Sequence, residues 1–134
     1  MNAPNILIID DEAEFVEVVR TILSTKQYKV SCAYSADEGF SKLEKESPDA
    51  IILDVMMGKD AEGFIFARKM RKNPRFAKIP ILMLTAMREK TGFEFPGESI
   101  HPKFLPVNQY VEKPIELQVL LEKIEHLLAK QNVG

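Results

Sequence analysis

Three short runs of the chain are apolar at every position, and they constrain the fold more than any other feature. The runs occupy residues 6–9, 50–53 and 81–84. A strand with one solvated face alternates apolar and polar residues, whereas a continuously apolar strand is covered on both faces, as in parallel sheets. The runs are therefore predicted to be the central strands of a parallel sheet.

Edge strands and covering helices complete this pattern. Residues 29–33 alternate more, and residues 109–112 are short and bounded by charge, which predicts a strand at each edge of the sheet. Between the strands, apolar residues recur at helical spacing, as in Phe15, Val19 and Leu23. Strands and helices in alternation predict an α/β fold with a doubly wound, five-stranded parallel sheet.

One segment departs from the repeat. A helix is expected between the fourth and fifth strands, yet residues 92–107 contain three prolines and two glycines. Proline cannot continue a helix and glycine weakens one. The helix in this position is therefore predicted to be short or degraded.

Size and charge exclude several classes of protein. A chain of 134 residues that is 46% hydrophobic can bury one core, which predicts a single domain over residues 1–134 with its core at about 5–128. The formal charge of −2 argues against binding to nucleic acid or to an acidic membrane. With one cysteine, Cys32, no internal disulfide can form, and no leader or membrane-spanning run is recognisable. A cytoplasmic protein is expected.

Acidic and basic residues stand where the predicted strands end. Asp10 and Asp11 close the first apolar run, Asp54 closes the second, Thr85 follows the third, and Lys113 follows the last predicted strand. In an open parallel sheet the carboxyl ends of the strands form the ligand site. Neighbouring carboxylates repel one another unless a proton or a divalent cation relieves the charge, and oxygen ligands suit Mg²⁺. The pattern predicts a Mg²⁺-dependent phosphoryl-transfer site.

Each of these residues also has an ordinary structural interpretation. Asp11 or Glu12 suits a helix N-cap or first turn, and Asp54 could cap a loop. Thr85 alone could be a strand-end hydroxyl, and Lys113 alone a solvated lysine. Convergence of polar groups from several strands favours the functional interpretation over these.

The combined motif resembles the receiver domain of two-component response regulators of the CheY type. It is carried by Asp10, Asp11, Asp54, Thr85, Ala86, Lys113 and Pro114. The resemblance extends from residue 5 to about residue 128 and implies a flavodoxin-like sheet with the strand order 2-1-3-4-5.

The resemblance also implies a role for each site residue. Asp54 is expected to be the phosphoacceptor, a carboxylate nucleophile. Asp10, Asp11, Asp54 and the main-chain carbonyl of Met56 are expected to bind Mg²⁺. Lys113 is expected to pair with a phosphoryl oxygen and offset its charge.

A conformational switch is implied by the same resemblance. The hydroxyl of Thr85 is expected to bind the phosphoryl group, and the aromatic ring of Tyr110 to turn inward in response. The expected protein is a stand-alone receiver, a monomer or weak dimer, that takes its phosphoryl group from a histidine kinase or phosphotransfer protein. It is expected to control an unidentified protein partner and not to turn over a separate substrate.

Two other functions are compared with this one. A phosphohydrolase of the haloacid dehalogenase type needs a second Asp two residues after its nucleophile, but Glu12 stands two after Asp10 and Met56 two after Asp54. That match fails. A receiver fold used as a phosphorylation-independent adaptor is disfavoured by the complete set of site residues, although the sequence leaves it open.

Overall fold

The fold is described by a computed structural model that covers residues 3–54, 62–85, 109–112 and 116–133. Its strands are β1 (Asn5–Ile9), β2 (Lys29–Ala33), β3 (Ala50–Asp54), β4 (Ile81–Thr85) and β5 (Gln109–Glu112). Its helices, numbered within the described ranges, are α1 (Ala13–Thr25), α2 (Ala36–Glu46), α3 (Glu62–Lys72) and α4 (Leu117–Val133).

The strands form one parallel sheet in the order β2-β1-β3-β4-β5. The three continuously apolar runs are the three central strands, and the two segments predicted as edges are the edges. The predicted doubly wound α/β fold and its strand order are therefore confirmed. From β1 the chain adds β2 on one side and then β3 on the other, so the strand order reverses between β1 and β3. The carboxyl ends of these two strands therefore border the crevice where such sheets bind ligands.

A separate apolar layer covers each face of the sheet. Leu7 and Ile9 of β1 pack with residues of α2 and α3, whereas Ile6 and Ile8 pack with residues of α1 and α4. These four side chains are at most 1% exposed. Burial of successive residues on opposite faces explains why the central strands are apolar at every position.

The proline- and glycine-rich segment 92–107 lies outside the described residues, so its short or degraded helix stays a prediction. None of the helices in the described part of the chain has the length and apolar character that a membrane crossing requires.

Candidate metal centre

Asp10 stands at the point where β1 ends, and the backbone on both sides fixes its position. Its main-chain N–H donates to the carbonyl of Ala33 in β2 over 3.0 Å. Its Oδ1 accepts a hydrogen bond from the main-chain N–H of Glu12 over 2.9 Å. The residue is 0% exposed. A charged carboxylate is thus held at a buried position, which is unfavourable unless neighbouring groups compensate it.

Asp54 reaches the same place from the neighbouring strand. Ile9 of β1 pairs with Leu53 of β3, so the residues that follow them, Asp10 and Asp54, stand side by side at the edge of the sheet. Asp54 also pairs with Leu84 of β4 and is 3% exposed. The register of two central strands therefore brings together the carboxylates that the sequence pattern predicts as neighbours.

A third carboxylate completes the group. Oxygens of Asp10, Glu12 and Asp54 all lie within 4.8 Å of one another. Glu12 is exposed, unlike the other two. Glu12 was not predicted to be a ligand or site residue, and the structure places its carboxylate in the group with Asp10 and Asp54. The signal was present in the sequence: Glu12 is the third acid in a run directly after a strand end.

The remaining predicted site residues are placed only in part. Asp11 is exposed and is not a member of the group of three. Thr85 ends β4 opposite Glu112, and Tyr110 pairs with Met83 along β5. Met56 and Lys113 lie outside the described residues.

The donor set fits a small hard cation. Three carboxylates within 4.8 Å repel one another, and two of them are nearly inaccessible to water. A divalent cation between them removes this repulsion, and Mg²⁺ prefers oxygen ligands. The three residues therefore offer the acidic oxygens that a magnesium site requires.

Comparison with known proteins agrees with this fold. The family model for the response regulator receiver domain matches residues 6–125. The chain belongs to the response regulator receiver domain family of two-component signalling. Receiver domains bind Mg²⁺ through acidic residues, interact with histidine kinases, and are not turnover enzymes on separate substrates.

Two curated relatives match nearly the whole of this chain. It is 33% identical to the probable transcriptional regulator ycf27 of Guillardia theta, over 95% of this chain and 46% of that protein. It is 31% identical to the DNA-binding dual master transcriptional regulator RpaA of Synechocystis sp., over 95% of this chain and 50% of that protein. The chain thus spans about half the length of the curated relatives it matches.

Among solved structures, a CheY-like response regulator receiver domain protein from Methanospirillum hungatei superimposes with a TM-score of 0.81. It is 27% identical, and the match covers 98% of each chain.

Proposed function

We propose that Asp54 accepts a phosphoryl group from a histidine kinase or phosphotransfer protein. The observation that supports this most strongly is the position of its buried carboxylate, at a strand end and within 4.8 Å of the carboxylates of Asp10 and Glu12. A carboxylate oxygen of Asp54 attacks phosphorus, the bond from phosphorus to the donor nitrogen breaks, and the electron pair leaves with the imidazole.

Charge at the site is divided among the proposed ligands and Lys113. Asp10, Asp11, Asp54 and the carbonyl of Met56 would hold Mg²⁺, which when bound offsets the negative charge of the phosphoryl oxygens. The ammonium of Lys113 pairs with another of these oxygens. The family motif supports the roles of Asp11, Met56 and Lys113, and the clustered carboxylates support those of Asp10 and Asp54.

Phosphorylation acts through a switch between two conformations. The hydroxyl of Thr85 binds the phosphoryl group, and Tyr110 turns inward to occupy the vacated space. Both residues belong to adjacent strands, β4 and β5, which allows a change at one to reach the other. Differential stabilisation of about 3–5 kcal/mol is enough to invert a two-state population.

The conformational change controls a partner protein. The chain forms a single domain over residues 1–134. A net charge of −2 favours contact with a protein over direct contact with DNA. Because the relatives are named as transcriptional regulators, the partner controlled by this receiver is proposed to be a DNA-binding protein. That the receiver stands alone stays a prediction.

Intact mass spectrometry tests the proposal directly. The protein is incubated with acetyl phosphate and Mg²⁺, beside Asp54→Asn and a control, Asp37→Asn, which alters an exposed carboxylate at the start of α2. We expect the mass of one phosphoryl group to be added to wild type and to Asp37→Asn. The gain should disappear with EDTA and in Asp54→Asn.

Two other outcomes are informative. A phosphoryl gain that persists in Asp54→Asn would show that another residue is the acceptor. No gain in folded wild type, with acetyl phosphate or with histidine kinases as donors, would favour the phosphorylation-independent adaptor.

A further inference from the structure

Glu12 is a carboxylate to which the family motif assigns no role, and its placement bears on the affinity of the site for its cation. We infer that Glu12 raises the affinity for Mg²⁺ by adding a negative charge on the solvent side of the site. The inference rests on the proposed function, since it takes Asp10 and Asp54 as ligands of a magnesium ion.

The main chain at Glu12 is fixed relative to the metal centre. Its N–H donates to Oδ1 of Asp10 over 2.9 Å, and its carbonyl accepts from the N–H of Val16 over 3.0 Å as α1 begins. The side chain therefore starts from a point tied both to the buried carboxylate and to the helix. From there its carboxylate reaches within 4.8 Å of both Asp10 and Asp54.

Stabilisation of the helix does not account for this side chain. Glu12 is the N-cap residue of α1, with extended backbone angles of φ −89° and ψ 94°, but its side chain makes no capping hydrogen bond. Residues that cap well have shorter side chains, such as Ser, Thr, Asp and Asn. A longer carboxylate at this position is better suited to extending past the helix start toward the strand ends.

Exposure separates the role of Glu12 from that of its two neighbours. Asp10 and Asp54 are buried, so they can contact a cation stripped of part of its water. Glu12 is exposed and acts on the cation as a solvated charge. At a separation of about 5 Å in a water-like medium, one such charge strengthens binding of a divalent cation by roughly three- to tenfold after screening by salt.

The helix offers a matched control at Glu14. Glu14 is also acidic, exposed and in the first turn of α1, yet it is not a member of the group of three. Neutralising either residue removes one negative charge near the same helix terminus, so both variants lose a similar helix-dipole contribution. Of the two residues, Glu12 is the one whose carboxylate lies within 4.8 Å of those of Asp10 and Asp54.

The test is a titration with MgCl₂ followed by backbone amide chemical shifts, with no phosphodonor present. We expect Glu12→Gln to raise the Mg²⁺ dissociation constant by about three- to tenfold and Glu14→Gln to change it by less than about twofold. Equal dissociation constants in wild type and Glu12→Gln would overturn the inference. So would a loss of the same size in Glu14→Gln.

A second variant separates charge placement from helix stability. Glu12→Asp supplies a favoured capping side chain, so the metal-free protein should melt at a higher temperature while its Mg²⁺ affinity does not increase. If affinity instead rises with stability in this variant, Glu12 acts through the helix and the inference is wrong.

Failure of the inference is distinguishable from failure of the proposed function. A wild-type protein that does not bind Mg²⁺ contradicts the magnesium site itself, and with it the role of Glu12. A wild type that binds Mg²⁺ and is phosphorylated, while Glu12→Gln binds equally well, contradicts the role of Glu12 alone.

Discussion

The main-chain N–H of Glu12 donates to Oδ1 of Asp10 over 2.9 Å. One carboxylate therefore does two things: it belongs to the acidic group at the strand ends, and it connects the end of β1 to the start of α1. The two effects oppose each other in the metal-free protein. The hydrogen bond stabilises the turn, whereas the charge is repelled by its two neighbours.

Substitutions at Asp10 can separate these two effects. Asp10→Asn keeps an oxygen that accepts the hydrogen bond and removes the charge, so we expect metal-free stability to rise by about 1 kcal/mol. Asp10→Ala removes the acceptor too and should be less stable than Asp10→Asn by about 1 kcal/mol. Urea unfolding in EDTA measures both changes, and Mg²⁺ should no longer stabilise either variant. If Asp10→Asn is less stable than wild type in EDTA, repulsion between Asp10 and the neighbouring carboxylates does not destabilise the metal-free protein.

Gly39 of α2 faces the buried side chains of Ile9 and Phe66. A Cβ atom at this position would be 2.9 Å from Cδ1 of Ile9 and 3.1 Å from Cε2 of Phe66, both of which are buried. Alanine favours helix by about 1 kcal/mol over glycine, but overpacking of a core costs about 1–3 kcal/mol. We expect Gly39→Ala to lower the free energy of unfolding by about 1 kcal/mol in urea denaturation.

A double-mutant cycle with Ile9 tests the cause of this loss. Ile9→Val removes the Cδ1 atom that the new methyl group would meet, so Gly39→Ala should cost less in that background than in wild type. An equal cost in both backgrounds would show that the contact with Ile9 does not explain the effect.

Arg71, near the end of α3, holds the loop that leads into β4. Its Nη1 donates to the carbonyls of Ala77 and Ile79 over 2.9 and 2.7 Å, and burial lowers the pKa of the guanidinium. Arg71→Ala removes these charge-assisted bonds and leaves the carbonyls to find other partners, so we expect a loss of about 2–3 kcal/mol. Urea unfolding measures it, with Lys72→Ala as the exposed control. A similar loss in the control would contradict a specific role for Arg71.

Much of the fold was predictable because burial imposes a pattern on every position of a strand. The apolar runs preceding Asp10 and Asp54 identified two central strands, and adjacency of those strands accounts for the meeting of the two carboxylates. The run of three acids after β1 indicated that Glu12 is near the site, but the direction of its side chain depends on the extended backbone at the start of α1, which the strand pattern does not predict. The close approach at Gly39 was also missed, because a distance between a helix and a sheet leaves no periodic signal.

Cys32 lies on the edge strand β2, half-buried, and burial raises the pKa of its thiol despite the nearby charges of Arg20 and Lys42. The thiolate is the reactive form, so a raised pKa leaves less of it at a given pH. Iodoacetamide at pH 8 should therefore modify Cys32 more slowly in the folded protein than in protein unfolded by urea, where the pKa returns to its ordinary value.

The raised pKa of Cys32 also determines how the stability of the protein changes with pH. Because the folded pKa is the higher one, the thiol contributes stability below its ordinary pKa and loses that contribution as the pH rises through the folded value. Stability of wild type should thus fall relative to Cys32→Ser as the solution becomes alkaline. Alkylation at equal rates in the folded and unfolded states would contradict the raised pKa.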